Sequence, residues 1–395
     1  MLQLIGDLFE VIMNVEKILA KLVSFPILGG ESNLSIIEWI EFYLNELGIT
    51  SFRVYNKEGN KASLHCRIGP AVDGGMILSG HTDVVPVDGQ DWDTDPFMLT
   101  EIEDKLYGRG SCDMKAFLAC IMSTAPMMLK ANLNKPIYFA FSYDEEIGCL
   151  GAPDLINGIN IHYDENPAYA WIGEPSMLIP IIGQKGICVQ ETIVNGSAGH
   201  SSRVRQEVSA IHEASRLVIW LEEKMDQLAK KSRDTRFNPP HTSIHVGTLH
   251  GGIAPNVIAD RCSFRWDIRC IPKDSIPQIL KEFKAHCNSR EMQLKNIYPD
   301  FAIKTVNDHP EVPALDTKED QEIAQLIKEL TGEDQFDTVS FAAEAGQFEK
   351  GGFPSIICGP GDIAQAHRAN EYVSKDQLHR CIELIQKLIL KFSSK

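Results

Sequence analysis

The first half of the chain alternates between short apolar runs and longer segments with helical periodicity. Gly75–Leu78 and Pro136–Phe141 are apolar runs of the length of buried strands, and Lys115–Lys130 between them has the length and spacing of a packed helix. Ile36–Leu47 is a further helix candidate that ends near Gly48. Strands that alternate with helices predict an α/β sheet covered by helices on both faces.

The pattern changes near residue 183 and changes back in the last hundred residues. The middle segment predicts strands at Gln190–Val194, Thr242–Leu249 and Arg261–Ile271 and helices at Glu207–Ala229 and Ile276–Arg290. The tail predicts a helix at Asp320–Leu330, a strand at Ser355–Cys358 and a helix at Lys375–Lys391. We therefore expect one domain in two parts, residues 1–182 and 296–395, interrupted by an inserted α+β domain at residues 183–295.

Length and charge agree with this division and exclude some classes of partner. The 395 residues exceed the ~250–300 that a single core usually accommodates. A net charge of −16 argues against nucleic acid as a partner, and no apolar run reaches the ~18–20 residues of a membrane span.

The N-terminus and the cysteines favour a cytoplasmic location. Residues 1–25 predict an amphipathic helix without the basic start and cleavage site of a signal peptide. The ten cysteines form no CxxC pair. We expect them to be buried thiols in a reducing compartment rather than disulfides or a zinc ribbon.

Acidic and histidine residues follow the predicted strands or precede the predicted helices at five places. These are HTD (81–83), GRGSCDMK (108–115), YDEEIG (143–148), WIGEPS (171–176) and QAHRANEY (365–372). Each has a plain structural explanation: Asp113 could cap the helix that follows it, Glu145 and Glu146 could form a solvated loop, and Glu174 could belong to a turn. As a set, they could instead converge at the carboxyl ends of the strands, where open α/β sheets bind ligands.

Histidine nitrogen and carboxylate oxygen are ligands that suit zinc and related metals. Two histidines with a carboxylate able to bridge would make a pair of metals ~3.5–4 Å apart plausible, and a further carboxylate could then act as a general base. The spacing alone leaves the structural and the metal-binding explanations equally open.

The motifs resemble those of the M20 family of co-catalytic zinc peptidases and deacylases. The similarity runs along nearly the whole chain, through SGHTDVVPVDGQDWDTDPF, GRGSCDMK, DEEIG, GEPS, GSAGHSS, GGIAPNVIA and GPGDIAQAHRANEY. Within the family, the tail GPGDIAQAH…NEY most resembles a bacterial deacetylase of the arginine pathway. The resemblance implies a zinc-peptidase-like catalytic domain with helices on both faces of a mixed sheet, and an inserted α+β domain that serves as lid and dimerisation domain.

The resemblance also implies a role for each polar residue of the catalytic domain. Two divalent metal ions, zinc with cobalt able to substitute, would be bound by His81, Asp113, Glu146, Glu174 and His367. Asp113 would bridge the metals, and Asp83 would hydrogen-bond to His81 and orient it. Glu145 would be the general base, which takes a proton from the attacking water and passes it to the departing amine.

The inserted domain would complete the active site. GSAGHSS resembles the lid histidine motif of the family, which makes His200 the donor to the oxyanion, and in relatives this histidine serves the opposite subunit of a homodimer. The chain departs from the family after this motif, where the glycine and asparagine of the usual pattern are absent from Arg203–Ala210. This departure affects the loop behind His200 and none of the metal ligands.

Four further features are candidates for binding a small N-acyl amino acid substrate. Asn256 matches the lid asparagine of the family, and Glu344 lies where the family has an acidic residue that could hold a substrate ammonium group or support the loop. Arg269 could bind the substrate carboxylate in a two-pronged way, or it could be a surface arginine paired with Asp267. The N–H groups of Gly359–Gly361 could also face the ligand.

Two alternatives and one further expectation remain from the sequence. Another amidohydrolase of the family would share the metal site, and a non-catalytic, metal-stabilised binding protein would keep the ligands while losing the base. Glu174 is glutamate, whereas the aminopeptidase-like members tend to carry aspartate, which favours a deacylase or carboxypeptidase.

The resemblance begins near Met13, so we expect residues 1–12 to be an extension and a chain that starts at Met13 to fold and to hydrolyse substrate.

Overall fold

The computed structural model describes residues 13–394, in which the chain forms two units. The first unit contains the residues up to Gly183, Leu315–Asp337 and the chain from Ala343 onward. The second contains Gln184–Ala314 and Thr338–Ala342. The expected extension, residues 1–12, lies outside the described residues.

The helices and strands are numbered in chain order. Up to residue 184 they are α1 (Val15–Val23), α2 (Leu34–Glu46), β1 (Ser51–Tyr55), β2 (Ala62–Ile68), β3 (Met76–His81), β4 (Thr100–Ile102), β5 (Lys105–Tyr107), α3 (Lys115–Lys130), β6 (Ile137–Ser142), α4 (Ala152–His162), β7 (Tyr169–Pro175) and β8 (Ile181–Gln184). From there to residue 312 they are β9 (Gly186–Asn195), β10 (Gly199–His200), α5 (Ala210–Lys231), β11 (Ser243–Gly251), β12 (Val257–Ile258), β13 (Arg261–Cys270), α6 (Ile276–Leu294) and β14 (Ala302–Val312). The remainder are β15 (Leu315–Asp316), α7 (Glu322–Thr331), β16 (Asp337–Val339), α8 (Ala345–Lys350), β17 (Ser355–Gly359), β18 (Tyr372–Ser374) and α9 (Lys375–Lys391).

A mixed sheet forms the centre of the first unit, with its strands in the order β1-β2-β6-β3-β7-β17-β8-β15. The four neighbouring strands β6, β3, β7 and β17 are parallel, whereas β1, β2 and β8 pair with their neighbours in antiparallel fashion. The four parallel strands are apolar and buried throughout most of their length, as expected for strands covered on both faces. Their carboxyl ends therefore meet at one edge of the sheet.

Helices cover both faces of this sheet. Leu78 and Phe139 point into a buried core that also contains apolar side chains of α1, α2, α3, α7 and α9. On the opposite face, α4 contacts β2 and β6, and α8 contacts β7 and β17. This arrangement confirms the predicted α/β fold with a mixed sheet, and β7 and β17 are placed where they deliver polar residues to its edge.

The second unit is an antiparallel sheet with helices on one face. Its strands lie in the order β11-β13-β9-β14, and burial alternates residue by residue along β9 and β13. The buried side chains of both strands pack against apolar residues of α5 and α6 in a core of their own. Among the described residues, helices therefore pack on one face of this sheet.

The second unit extends further along the chain than the sequence suggested. Residues 296–314, which we assigned to the catalytic domain, belong to the second unit. The reason is β14, which pairs with β9 from Ala302 to Val312 and so forms an edge of the sheet of that unit.

Within residues 13–394, the structure contains no helix that is both long and apolar enough to span a membrane.

Candidate metal centre

The candidate centre lies at the carboxyl edge of the parallel strands of the first unit. His81 is the last residue of β3, and Glu174 lies near the end of the adjacent strand β7. Glu145 and Glu146 belong to the turn that follows β6, the other neighbour of β3. Because parallel strands end at the same edge of a sheet, their topology brings these four side chains together.

Asp113 and His367 reach the same place from loops. Asp113 precedes α3 without capping it, since the N-cap residue is Met114 and makes no side-chain cap hydrogen bond. His367 follows the short helix after β17, with a left-handed φ of 63°. The alternative explanation of Asp113 as a helix cap is therefore wrong.

The two carboxylate oxygens of Asp113 face different histidines. Its Oδ1 is 3.3 Å from His81 Nε2, and its Oδ2 is 3.6 Å from His367 Nε2. Glu174 Oε1 is 3.8 Å from His81 Nε2, and Glu146 Oε2 is 3.0 Å from His367 Nε2. The five residues thus form two groups that share Asp113, as a carboxylate between two metal ions would require.

The cluster contains two overlapping sets of potential ligand atoms. Within each set, the atoms lie within 4.8 Å of one another. One set contains His81, Glu145 and Glu174, and the other contains His81, Asp113 and Glu146. The first set includes Glu145, whose Oε2 is 4.0 Å from His81 Nε2. The carboxylate of Glu145 therefore lies among the candidate ligand atoms.

Burial makes negative charge in the cluster energetically costly. It raises the pKa of Glu145 and of Glu174 well above the usual range of a carboxyl group, and it raises the pKa of Glu146 to about 7. Burial alone would also raise the pKa of Asp113, but the hydrogen bond to His81 and the charges of the two histidines lower it. Four carboxylates held together away from water call for a cation between them.

The donor set fits divalent metal ions. Glu174 Oε1 is buried and makes no hydrogen bond with any described residue, as expected of an atom that would bind a metal. The set combines two imidazoles with carboxylates, a combination that suits zinc and its neighbours.

Asp83 supports the cluster in a way that differs from the expectation. The acceptor for His81 Nδ1 is the main-chain carbonyl of Asp83 at 2.9 Å, while its carboxylate Oδ1 is 3.6 Å away. The carboxylate oxygens accept hydrogen bonds from the main-chain N–H groups of Glu145 and Glu146, at 3.1 and 3.2 Å. Asp83 thus orients the imidazole through its backbone and the Glu145–Glu146 turn through its side chain.

The same turn is held by residues that the sequence analysis did not single out. Asp144 accepts a hydrogen bond from the N–H of Gly30 at 2.8 Å and forms an ion pair with the buried Lys61. The thiol of Cys149 donates a hydrogen bond to Glu145 Oε1 at 3.3 Å. The two contacts of Asp144 join parts of the chain that are far apart in sequence, so no local motif announces them.

Of the expected substrate-binding residues, Glu344 lies in the first unit near the cluster. It is 1% exposed, and neither of its carboxylate oxygens makes a hydrogen bond with a described residue. Burial raises the pKa of Glu344 to about 7, partly offset by the Ser142 hydroxyl and His81. A buried acid without a donor is suited to receive a cationic group.

The expectation that Gly359–Gly361 offers free N–H groups is wrong. The N–H of Gly359 donates to Ser176 Oγ and that of Gly361 donates to Gln377 Oε1, each at 3.2 Å. Residue 360 is a proline, which has no N–H group. The segment therefore has structural partners of its own.

The other expected residues lie in the second unit. His200 ends β10 as an exposed residue, with Nδ1 2.8 Å from Ser202 Oγ, and Asn256 is an exposed loop residue whose main-chain oxygen accepts from Ser201 N–H. Arg269 Nε lies 3.3 Å from Asp267 Oδ1, as in the alternative explanation of a paired surface arginine.

Comparison with known proteins gives consistent results. The model of the peptidase family M20/M25/M40 matches residues 77–391. An acetylornithine deacetylase of Pasteurella multocida is 32% identical over 92% of this chain and 92% of its own length, and one of Myxococcus xanthus is 32% identical over 95% and 96%.

Solved structures share the fold. An M20 family metallo-carboxypeptidase from Sulfolobus solfataricus has a TM-score of 0.75 at 17% identity and covers 95% of this chain and 99% of its own. A dinuclear metal-binding peptidase of the same family from Bacillus subtilis has a TM-score of 0.63 at 14% identity, with coverages of 96% and 97%. The family model covers most of the chain and the relatives extend along nearly all of it, so this chain belongs to the M20/M25/M40 peptidase family.

Proposed function

We propose that the protein hydrolyses the amide bond of N-acetyl-L-ornithine to ornithine and acetate, a step of arginine biosynthesis. The observation that carries the proposal is Asp113, whose two oxygens face His81 and His367, with the Glu145 carboxylate beside them. The names of the curated relatives supply the substrate.

In this proposal, the five clustered residues hold two divalent metal ions, zinc with cobalt able to substitute. His81 and Glu174 would hold one ion, His367 and Glu146 would hold the other, and Asp113 would contribute to both sites. Metal ions of this kind polarise a carbonyl group and lower the pKa of water from ~15.7 toward ~7.

Glu145 is the general base. Its Oε1 accepts a hydrogen bond from Cys149 and its main-chain N–H is fixed by Asp83, so its carboxylate is held facing the cluster. It takes the proton from the water that attacks the acetyl carbonyl and delivers it to the nitrogen of the departing ornithine. Adjacent residues in a turn diverge, which lets Glu146 bind metal while Glu145 handles the proton.

The second unit supplies the oxyanion donor and further contacts to the substrate. We assign to the imidazole of His200 a hydrogen bond to the oxygen that becomes negatively charged during attack. In the proposed homodimer this histidine serves the neighbouring chain. Asn256 contacts the substrate beside it, and Arg269 exchanges its partner Asp267 for the substrate carboxylate.

Glu344 is the residue that would select ornithine. Its buried carboxylate oxygens make no close hydrogen bond with a described residue, and only the Ser142 hydroxyl approaches them as a weak donor. The side-chain ammonium of acetylornithine would supply a strong, charged donor. A substrate with an uncharged side chain would leave it unpaired. This supports a basic N-acetyl amino acid over acetylmethionine.

Buried thiols support the proposed cytoplasmic location. All ten cysteines are buried and none forms a disulfide, as is usual for proteins of a reducing compartment.

The test is a panel of substrates assayed with metal-reconstituted protein: acetylornithine, succinyl-diaminopimelate, acetylmethionine and a dipeptide. We expect the highest kcat/KM for acetylornithine. In Glu344→Gln, this value should fall by about 10–100-fold, since a hydrogen bond to a charged group contributes about 1.5–3 kcal/mol. The matched control is acetylmethionine, whose kcat/KM the substitution should leave within a few-fold.

Each other outcome points to a different function. Preference for succinyl-diaminopimelate or acetylmethionine would identify another amidohydrolase of the family. No turnover of any substrate by protein that binds two metals would favour the non-catalytic binding protein.

A further inference from the structure

The loop that carries Asp113 is attached to one buried side chain, that of Glu371. Glu371 Oε1 accepts from the N–H groups of Cys112 and Asp113 at 2.8 and 3.0 Å. Its Oε2 accepts from the N–H of Gly110 at 3.0 Å and from Arg109 Nη1 at 2.7 Å. Two oxygens that each accept two hydrogen bonds have no lone pair left for a metal or a substrate.

The main chain of Glu371 adds to this attachment. Its carbonyl oxygen accepts from the N–H of Gly108 at 2.9 Å and from Ser111 Oγ at 3.3 Å. One residue therefore receives six hydrogen bonds from a segment of six residues that ends at Asp113.

Arg109 connects the same segment to the loop of His367. Besides Glu371, its guanidinium donates to the carbonyl of Arg368 at 3.2 Å and to Gln90 Oε1 at 2.5 Å. Gln90 in turn donates to the main-chain oxygen of His367 at 2.9 Å. Arg109 and Glu371 are each 1% exposed, so this ion pair is shielded from water.

These contacts fix Asp113 relative to His367. Glu371 is four residues beyond His367, and its side chain holds the main chain of Asp113 itself. A change at Glu371 would therefore shift the carboxylate of Asp113 relative to the two histidines that flank it, His81 and His367. Groups that orient ligands without binding the metal typically change its affinity by 10–100-fold when they are removed.

We infer that Glu371, together with Arg109, is a positioning residue that sets the bridging geometry of Asp113, and that the second metal ion binds tightly only when this attachment is intact. The inference rests on the proposed function, because it requires a centre for two metals. It assigns Glu371 no contact with metal or substrate.

The experiment measures Co²⁺ binding to the metal-free protein and to Glu371→Gln, by calorimetry and by the visible absorption spectrum of bound cobalt. Glutamine keeps the size of the side chain but directs an NH₂ group at N–H donors. We expect the second equivalent of Co²⁺ to bind about 10–100-fold more weakly, with an altered spectrum, a lower kcat and a KM for acetylornithine within about twofold. A folded Glu371→Gln protein with wild-type affinities for both equivalents and an unchanged spectrum would overturn the inference.

Gln90→Met provides a second test if Glu371→Gln does not fold. It removes the link from Arg109 to the backbone of His367 and leaves the buried ion pair in place. We expect the second equivalent of Co²⁺ to bind several-fold more weakly, with little change in Tm. Unchanged affinity for that equivalent would count against the inference.

Glu165→Gln is the matched control. Glu165 is a partly buried carboxylate, paired with Arg67 and with the Tyr138 hydroxyl, and none of these partners belongs to the cluster. We expect Glu165→Gln to lower Tm while both equivalents of Co²⁺ bind as in the wild type. If Glu165→Gln weakened the second equivalent as much as Glu371→Gln does, the effect of Glu371→Gln would be due to general instability. If the wild-type protein itself binds no second metal, the proposed function fails, whereas a wild type with two metals and an identical Glu371→Gln protein refutes only the inference.

Discussion

At the scale of single residues, two adjacent glutamates are given different tasks by their surroundings. Glu146 Oε2 lies 3.0 Å from His367, whereas Glu145 Oε1 accepts from Cys149 and its Oε2 is 4.0 Å from His81. Asp83 holds the main chain of both. The difference between them lies in the side chains alone, so substitutions at these two positions should separate chemistry from metal binding.

The first prediction uses this pair. Glu145→Gln preserves size and removes the proton acceptor, so kcat should fall by on the order of 10²–10⁴ while two metals are retained. Steady-state kinetics and metal analysis of the same preparation measure both quantities. Glu146→Gln is the companion variant, for which metal content should fall as well. Activity of Glu145→Gln within tenfold of wild type would show that this residue is not the base.

At the scale of elements, β2 carries a histidine whose burial makes stability depend on pH. His65 is 2% exposed, its Nδ1 lies 3.0 Å from the Tyr163 hydroxyl, and its ring packs against Phe52 and His162. Burial, together with the charge of His162, lowers the pKa of His65 to about 4. In the unfolded chain the pKa of a histidine is about 6.5.

The second prediction follows from the sign of this shift. Below pH 6.5 the unfolded chain gains a proton that the folded protein does not take up, so the free energy of unfolding decreases as pH falls from about 6.5 toward 4. His65→Gln removes this contribution, which amounts to about 2 kcal/mol between pH 7 and pH 5. Urea unfolding at both pH values measures it. The same pH dependence in wild type and variant would contradict the prediction.

Sequence patterns define elements well when the signals are local. The predicted limits of the helices at Lys115–Lys130 and Lys375–Lys391 agree with α3 and α9. At α9 the local signal is visible, because Ser374 caps the helix by accepting from the N–H of Gln377. Polar residues that follow apolar strands were likewise recognisable as a candidate site.

Pairing and support over long distances were not predictable in this way. The alternation of a strand gives its faces but not its neighbour, so β14 was assigned to the wrong unit although it pairs with β9. Glu371 resembles any loop glutamate, since the donors that surround it come from residues about 260 positions away. Asp83 was recognised as a supporting residue, but the sequence could not tell its carbonyl from its carboxylate as the acceptor for His81.

At the scale of the whole molecule, activity should depend on metal. The third prediction is that a chelator abolishes hydrolysis and that about two equivalents of zinc or cobalt restore it. Metal should also raise Tm, because it binds the folded state and relieves the repulsion among the clustered carboxylates. Activity titrations and thermal unfolding measure the two effects. Full activity of metal-free protein would end this interpretation.

The fourth prediction tests the proposed exchange of His200 between subunits. His200→Ala should lower kcat by ~10²–10³, in line with the loss of other oxyanion donors, and leave metal content intact. Mixed with Glu145→Gln, it should regain activity, because half of the dimers are mixed and each mixed dimer has one intact site. Random exchange in a two-fold dimer gives roughly a quarter of wild-type activity. Subunit exchange must be demonstrated independently. If activity is then not recovered, His200 either serves the active site of its own subunit or has no role in catalysis.

The position of β17 in the sheet has a consequence for the order of events during synthesis. This strand lies directly beside β7, yet Pro175 and Ser355 are separated by 180 positions of the chain. At translation rates of about 5–20 residues per second, β7 waits roughly 10–40 s for its neighbour. His367 emerges later still, so a nascent chain cannot assemble the candidate centre before the loop that follows β17 has been made. Any metal that requires all five side chains would therefore bind only after β17 and the loop beyond it have joined the sheet.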